Sequence, residues 1–462
     1  MSGPVRLACN SSTTLQTNSL TAVQSGAGQP ASAGSGPAGV SSSRLVQSLV
    51  LASAAWAGMY SRAVLGPLQE TVKSSLLLSD NQMAILQGTA MAVPMVLGSI
   101  PLGIVADRVS RARMLIFFLA LAIASFLLTA IAPRFSLLLP ARCLAGLASV
   151  ALMIAAFSLV SDLYAPAERG RASMVLVTGE ILGSPAAFAF GGKVLVLVGS
   201  TVALTTYHWN LADWRWAVLW MGVPLIPILC LLILLVREPA RHEMVQARPR
   251  FLSMWSELWQ YRRVVTSLLF ARAMVWIADG AIFVWGAPLF ARKFGLKPDR
   301  VGALMGLALL VSGVLGPALG GPLADFCQRR SGPRRAVKFM AATALIGVPA
   351  ALFPFMPTAI WMCVLLAVFV TLGISILTAG VAVSIVVIPG ELRGVYLGIT
   401  YTAGALFFMG LAPLVVSELS GILGGERMIG PALAMVCATA SLAGAAIFWS
   451  SAAYFPGAST ET

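Results

Sequence analysis

The sequence predicts an all-α integral membrane protein whose twelve transmembrane helices form two parallel six-helix repeats. Three observations lead to this prediction: the chain is strongly apolar, it contains twelve long apolar segments, and two short signatures recur six segments apart. Of its 462 residues, 58% are hydrophobic and 10% are charged, whereas a soluble domain carries about 25% charged residues. A soluble fold of this length would lack the polar residues to cover its surface, so a lipid bilayer is the expected solvent.

The apolar segments follow a polar N-terminal stretch. Residues 1–43 are rich in Ser, Gly, Ala and Thr, which predicts a disordered tail, and they lack the pattern of a signal peptide. A membrane-spanning helix needs roughly 20 apolar residues. The twelve segments that we predict to span the membrane are 45–68, 82–106, 113–132, 136–162, 172–198, 217–236, 264–290, 301–324, 336–354, 358–387, 394–417 and 429–453.

The longest polar break inside this array lies between the sixth and seventh spans. After the tail we therefore expect an N-terminal bundle, a central cytoplasmic loop, a C-terminal bundle and a short C-terminal tail, at 44–236, 237–263, 264–453 and 454–462. Loops after even-numbered spans carry about twice as many Lys and Arg residues as loops after odd-numbered spans. By the positive-inside rule both termini are expected in the cytoplasm, and the net charge of +14 reflects topology rather than nucleic-acid binding.

Two signatures recur at equivalent places in the two halves. The second and eighth spans are each followed by G-x-x-x-D with an Arg four residues beyond the Asp, at 103–111 and 321–329. The fourth and tenth spans are each followed by Pro, Glu, Arg and Gly in that order, within 166–170 and 389–394. An even number of spans separates the copies, so the two halves have the same orientation and are parallel repeats.

The repeat and its signatures resemble the major facilitator superfamily of membrane transporters. Residues 103–111 are similar to its loop signature G-x-x-x-D-R-x-x-R, and Arg142 with Gly146 is similar to its R-x-x-x-G motif. The glycines and proline within 179–192 are similar to the pattern often called the antiporter motif. The resemblance covers about 45–453 and implies a secondary transporter that works by alternating access, rather than an enzyme.

A narrower resemblance is to the spinster-like branch of that superfamily, whose members move lipids such as lysophospholipids and sphingoid phosphates. It rests on Tyr60-Ser61-Arg62 and on residues 78–82, 86–88 and 101–103. The chain departs from the branch at two places where an acid is expected. Ser61 stands before Arg62 in place of an Asp, and residues 146–150 contain no Glu.

Three arginines lie within predicted spans: Arg62 in the first, Arg142 in the fourth and Arg272 in the seventh. A charged side chain at bilayer depth costs at least a few kcal/mol, so each should face a cavity or a partner. The planar guanidinium suits carboxylate and phosphate groups, and we expect these arginines to bind an anionic substrate. The alternative is a structural ion pair with Glu180 or Asp279, or a bond to a backbone carbonyl.

Asp279 and Glu180 are the acids deepest in the predicted spans. Asp279 follows Arg272 by seven residues, which places both on one helix face, roughly 10 Å apart along the axis. An embedded carboxyl without a partner can bind and release a proton, so both acids are candidates for proton coupling; permanent pairing with an arginine is the alternative. Asp279 and Trp276 complete the predicted substrate site, although packing alone would also explain the indole.

The repeated loop signature predicts a gate on the cytoplasmic side. An Asp and an Arg four residues apart can pair on one helical turn or reach a neighbouring helix. We expect the gate to hold the two halves together in one state and to release them in the other. A plain loop clamp is the alternative. The residues of this gating motif are Gly103, Asp107, Arg108, Arg111, Asp325 and Arg329.

Taken together, the sequence predicts a monomeric, multi-pass protein of the inner or plasma membrane. It would move a small amphiphilic or organic anion, lysolipid-like molecules included, with protons as the coupling ion. The alternatives are a carboxylate/proton symporter, a multidrug efflux carrier and a transport-inactive sensor on the same fold. Six cysteines without a C-x-x-C pattern and only two histidines argue against a metal site, and no cofactor is expected.

Overall fold

In the part of the chain that the structure describes, twelve long helices follow one another and correspond to the twelve predicted spans. The computed structural model describes residues 42–164, 168–204, 212–236 and 257–456. Nearly all of the predicted N-terminal tail, most of the predicted central loop and the last residues of the C-terminal tail lie outside these ranges. The prediction of a membrane protein built from helices is confirmed.

The bounds of the helices agree with the predicted spans to within a few turns. They are α1 (Ser42–Ala63), α2 (Asp80–Ala84, a π-helical turn Ile85–Thr89, and Ala90–Arg108), α3 (Arg111–Ile131), α4 (Phe135–Leu163), α5 (Arg169–Leu204), α6 (Asp213–Gly222 and Leu225–Leu235), α7 (Arg262–Phe294), α8 (Pro298–Ser331), α9 (Pro333–Ala350), α10 (Ala359–Val387), α11 (Gly390–Gly404, a π-helical turn Ala405–Leu411, and Ala412–Leu423) and α12 (Ile429–Ser451). Eleven of them, α2 to α12, lie in segments long and apolar enough to cross a membrane.

Local sequence explains the break between α1 and α2. Helix α1 ends at Ala63 because Pro67 has no N–H to donate to the Ala63 carbonyl, which instead accepts from Gly66 at 2.9 Å. The short connecting helix Gln69–Leu76 follows. Ser79 then begins α2 with a capping box: its hydroxyl accepts from the Gln82 backbone at 3.2 Å, and the Gln82 side chain accepts from the Ser79 backbone at 2.9 Å.

Small residues let the helices within the N-terminal half approach closely. A Cβ atom on Gly179 of α5 would lie 2.3 Å from the Ala52 carbonyl oxygen of α1. One on Gly146 of α4 would lie 2.5 Å from the Met91 carbonyl oxygen of α2. The glycines of the two predicted motifs are therefore contact points between membrane helices, where side chains would hold the backbones apart.

The arginines of the second repeated signature form the same contact in both halves. The Arg169 Nε donates to the Tyr164 carbonyl at 3.2 Å, at the end of α4. The Arg393 Nε donates to the Ile388 carbonyl at 3.1 Å, at the end of α10. Each arginine thus satisfies a terminal carbonyl of the preceding helix, which no helical N–H can reach. The two halves therefore share this hydrogen bond at equivalent positions of the predicted repeat.

Candidate functional site

The two halves of the protein are in backbone contact near one end of the helices. We call it the odd-loop end because the loops after odd-numbered helices lie there; the opposite end is the even-loop end. A Cβ atom on Gly192 of α5 would lie 2.3 Å from the Pro298 carbonyl oxygen at the start of α8. One on Gly88 of α2 would lie 2.4 Å from the Met409 carbonyl oxygen of α11. Only glycine permits such contacts, so these positions set how tightly the halves close.

An ion-pair network joins the halves at the same end. The Arg292 guanidinium of α7 donates to the Glu70 carboxylate at 3.0 and 2.9 Å and to the Asp80 carboxylate at 2.9 and 2.8 Å. Lys73 pairs with Asp80 at 2.7 Å and with Glu426 at 2.5 Å. Among the side chains that the structure describes, every ion pair between the halves lies in this network. We call these five residues the odd-loop lock.

An aromatic layer lies deeper along the helices than the odd-loop lock. The rings of Phe188 and Phe283, from α5 and α7, meet edge to face with centroids 6.0 Å apart. The ring of Phe408, from α11, lies 5.5 Å from that of Phe283. Because the layer combines residues of both halves, it closes the space between them toward the odd-loop end.

On the other side of this layer, Tyr401 of α11 lies in open space between the halves. Its side chain is 63% exposed, yet the charges of Glu180, Arg272 and Arg62 all act on its hydroxyl. These three residues belong to α5, α7 and α1. Tyr401 therefore lies in an exposed space close to charged residues of both halves, and we call this space the central cavity.

Arg272 is the arginine whose charge is least satisfied by the protein. It is only 4% exposed, and its guanidinium lies 5.1 Å from the centroid of the Trp276 ring. The Tyr396 hydroxyl lies within hydrogen-bonding reach of the guanidinium, and the Tyr401 hydroxyl also acts on its charge. The Nε and Nη1 atoms nevertheless have no hydrogen bond of good geometry, and no acid of the described residues pairs with Arg272. A buried guanidinium thus meets hydroxyl groups but no carboxylate that would neutralise its charge.

Arg62 and Glu180 face the same cavity as an ion pair. The Arg62 Nη2 donates to the Glu180 Oε1 at 3.1 Å, and both side chains are partly exposed. The sequence left open whether Arg62 binds substrate or pairs with an acid, and the structure contains the pair. Because the pair is partly exposed, an entering ligand can still reach either charge.

Arg142 holds the backbone of two irregular helices. It is 1% exposed. Its guanidinium donates to the carbonyls of Ser61 and Arg62 at 3.3 and 2.7 Å, where α1 ends, and to that of Leu86 at 3.3 Å, in the π-helical turn of α2. Helix ends and π-helical turns leave carbonyls without helical partners. Arg142 supplies those partners and so positions Arg62, which is the backbone alternative that the sequence left open.

Asp279 does not share the central cavity with the other candidates. The residue is 7% exposed, and its carboxyl points between α9, α10 and α12. A Cβ atom on Gly373 of α10 would lie 2.5 and 2.6 Å from its two oxygens. Although Arg272 and Asp279 share a face of α7, the structure places their charged groups in different surroundings.

Comparison with known proteins decides the family. A family model described as Major Facilitator Superfamily matches residues 51–413. The chain belongs to this superfamily. It is a multi-pass membrane transporter and not an enzyme, as the sequence predicted. An "MFS-type efflux pump" of Mycolicibacterium smegmatis is 27% identical over 406 residues, which cover 84% of this chain and 88% of that protein.

Solved structures of other superfamily members share the fold. A bacterial homolog of the human lysosomal transporter Spinster, in an inward-facing and unoccupied conformation, has a TM-score of 0.73 and 20% identity and covers 90% of this chain and 97% of its own. A structure described as the inward-facing and occupied conformation of such a homolog has a TM-score of 0.71 and 21% identity, covering 89% and 95%. A nucleoside transporter has a TM-score of 0.67 and 12% identity, covering 88% and 99%.

The superfamily loop signature takes a different form in each half of this protein. Arg111 pairs with Asp162 at the end of α4, so it ties α3 to α4 within the N-terminal half. The side chain of Asp107 lies outside the described part of the chain. Asp325 and Arg329 are exposed and form no ion pair with a described residue. A gating role for this motif stays a prediction.

Sequence reasoning missed several residues of both the central cavity and the odd-loop lock. Tyr396, Thr400 and Tyr401 follow one another closely in α11, and three polar side chains within an apolar span were a usable signal. Arg292 gave no such signal because it lies at the end of a span, where a cation needs no special partner. Only folding brings Glu70 of the connecting helix and Asp80 of α2 to Arg292.

Proposed function

We propose that this protein is an alternating-access carrier for a small amphiphilic or organic anion, coupled to protons, with the central cavity as its binding site. The observation that carries the proposal is Arg272. Its buried guanidinium has free donors and no acidic partner among the described residues. An uncompensated charge at this depth is costly unless a ligand neutralises it during the transport cycle.

The surroundings of Arg272 suit an amphiphile with one anionic group. The Tyr396, Thr400 and Tyr401 hydroxyls can donate hydrogen bonds to carboxylate, sulfate or phosphate oxygens alongside the guanidinium. The Trp276 ring beside Arg272 and the aromatic layer deeper in the cavity offer apolar surface to a hydrocarbon tail. The fold shared with spinster homologs supports a lipid-like substrate, and the likeness to an efflux pump supports export as its direction.

With both termini in the cytoplasm, as the Lys and Arg distribution predicts, the even-loop end faces the cytoplasm. The odd-loop lock and the aromatic layer then close the cavity toward the outside. In this arrangement the structure represents an inward-facing state, and a substrate would enter from the cytoplasm or be released there.

Decyl sulfate is a suitable probe for the proposed site because it is an amphiphile whose charge does not change with pH. We expect the full-length protein in lipid nanodiscs to bind it and to bind decyltrimethylammonium, its cationic counterpart, far more weakly. Arg272→Gln should lower the affinity for decyl sulfate by roughly 10- to 100-fold, because a hydrogen bond to a charged group contributes about 1.5–3 kcal/mol. Arg272→Lys keeps the charge but loses the planar guanidinium with its paired donors. Its affinity for decyl sulfate should lie between those of the unmodified protein and Arg272→Gln.

Arg134→Gln is the matched control, since Arg134 is exposed at the odd-loop end. It should bind decyl sulfate like the unmodified protein. Equal affinities of the Arg272→Gln and Arg134→Gln variants would remove Arg272 from the site and contradict the proposal. Binding without flux in proteoliposomes would instead support the transport-inactive sensor.

A further inference from the structure

A small cavity inside the C-terminal half surrounds the carboxyl of Asp279. It is lined by Thr343 of α9, Gly373 of α10 and Ser441 of α12, together with apolar side chains of these helices and α7. Its volume is about 20 Å³. Since a cavity of about 10–15 Å³ holds one water molecule, this one has room for a single water. The central cavity, by contrast, lies between the two halves.

The Asp279 carboxyl has no protein partner in this cavity. It forms no hydrogen bond or ion pair with any described residue, and its Oδ1 atom is fully buried. Arg272, on the same helix, is two turns away, about 10 Å along the axis. Among the described residues, the Cys437 thiol of α12 is the titratable group that interacts with it electrostatically. The helices α9 and α10 contribute no charged or titratable side chain to the lining.

These surroundings suit a neutral carboxyl better than an ionised one. The Thr343 hydroxyl already donates to the Phe339 carbonyl at 2.9 Å, so toward the cavity it can only accept. A protonated carboxyl can donate to it through the one water for which there is room, whereas a carboxylate can accept only from that water and from the Ser441 hydroxyl, with no cation among the lining residues. An ionised carboxylate without a counter-ion is costly in an apolar interior.

We propose that Asp279 and its water-sized cavity form the proton-binding site of this carrier, separate from the substrate site in the central cavity. The proposal rests on the proposed function and adds to it the place where the coupling ion binds. The step is a proton transfer from a hydronium ion to the carboxylate, which leaves a water molecule and changes the charge of Asp279 from −1 to 0. A metal ion fits poorly, because the lining supplies one carboxyl and two hydroxyls, whereas a Ca²⁺ site uses about six to eight oxygens.

The charge of Asp279 can bias the conformation through α10. Gly373 leaves no space between α10 and the carboxyl, so further water, beyond the one molecule that the cavity can hold, solvates an ionised Asp279 on this side only if α7 and α10 separate. The neutral form fits the packed arrangement that the structure shows. Binding and release of the proton would therefore favour different packings of these two helices, and a ligand or proton shifts an equilibrium only through such a difference.

Infrared difference spectroscopy of the full chain in nanodiscs tests the site without any substrate. We expect the C=O band of a protonated carboxyl at neutral pH, lost in the isosteric variant Asp279→Asn. Gly373→Ala should shift the band, because its methyl group displaces the carboxyl. Asp213→Asn changes an exposed acid at the start of α6 and should keep the band. Absence of the band, or its persistence in Asp279→Asn, would overturn the proposal.

Flux of decyl sulfate in proteoliposomes then tests coupling. Asp279→Asn should bind decyl sulfate with unchanged affinity, while a pH gradient, which alters the flux of the unmodified protein several-fold, should no longer affect it. A gradient that still drives flux in Asp279→Asn would overturn the coupling role. Failure of the unmodified protein to bind decyl sulfate would instead contradict the proposed function, and the infrared band would still decide whether Asp279 holds a proton.

Discussion

Three arginines that look alike in the sequence have three different roles in the structure. Arg62 pairs with an acid, Arg142 holds backbone carbonyls, and Arg272 keeps its donors free. In each case a charged side chain lies within a membrane span, and what differs is the group that meets it. Only the unsatisfied arginine is a strong candidate for direct contact with an anion, so the interpretation of the other two changes from binding to positioning.

At the residue scale, Arg142→Met should destabilise the protein. The change removes the donors of three buried carbonyls, and each unsatisfied group costs about 1–3 kcal/mol, so we expect the free energy of unfolding to fall by at least about 3 kcal/mol. Denaturation of the purified variant in detergent measures this loss. Arg142→Lys, which cannot reach three carbonyls at once, should restore only part of it.

A stable Arg142→Met variant that no longer binds decyl sulfate would contradict this assignment. It would show that Arg142 contacts the ligand rather than the backbone. Arg134→Gln, at an exposed position, provides the baseline for stability.

The sequence could show that these charges were unusual but not what satisfied them. The sequence showed that Arg142 lies within an apolar span. It did not show that the end of α1 near Pro67 and the π-helical turn of α2 leave carbonyls free to accept from Arg142. Such irregularities depend on tertiary packing and have weak local signals. Asp279 is a second example. Its spacing from Arg272 predicts that both residues share a face of α7, but the neighbouring helices α9, α10 and α12 enclose the Asp279 carboxyl in a separate cavity.

At the scale of elements, glycines at helix crossings decide how the two halves meet. The pattern within 179–192 was recognisable in the sequence as a motif, but the structure shows its physical use. Gly192 brings α5 against the start of α8, and Gly88 brings α2 against α11. Both contacts involve backbone atoms, which cannot move aside as a flexible side chain could.

Gly192→Ala should therefore open the odd-loop end. In an ordinary helix this change is stabilising by about 1 kcal/mol, but here the methyl group would lie 2.3 Å from the Pro298 carbonyl oxygen. Overpacking typically costs about 1–3 kcal/mol, which would shift the equilibrium between closed and open states by roughly tenfold. Distances between spin labels at positions 134 and 427 report this opening.

Gly421→Ala is the matched control, since a Cβ atom at this helical glycine would meet nothing within 4 Å. It should leave the distance distribution unchanged. If Gly192→Ala gave the same distribution as Gly421→Ala, the contact would not limit closure.

At the scale of the whole molecule, the structure is closed at one end and open between its halves at the other. The fold and its repeat were predictable because bilayer thickness fixes helix length and because the same signatures recur in both halves. Which end is closed was not predictable. The pairs of Arg292 with Glu70 and Asp80 join residues more than 200 positions apart. These two pairs and the pair of Lys73 with Glu426 depend on the relative placement of the halves.

The central claim is that the cavity around Tyr401 opens only from the even-loop end in this state and binds an anion. A membrane-impermeant maleimide tests it with Tyr401→Cys in an otherwise cysteine-free chain, in vesicles of known orientation. We expect labelling from the side of the even-numbered loops, protection by decyl sulfate, and added labelling from the opposite side when Arg292→Gln breaks the odd-loop lock. Labelling of the intact lock from the odd-loop side, or no protection by decyl sulfate, would contradict the account.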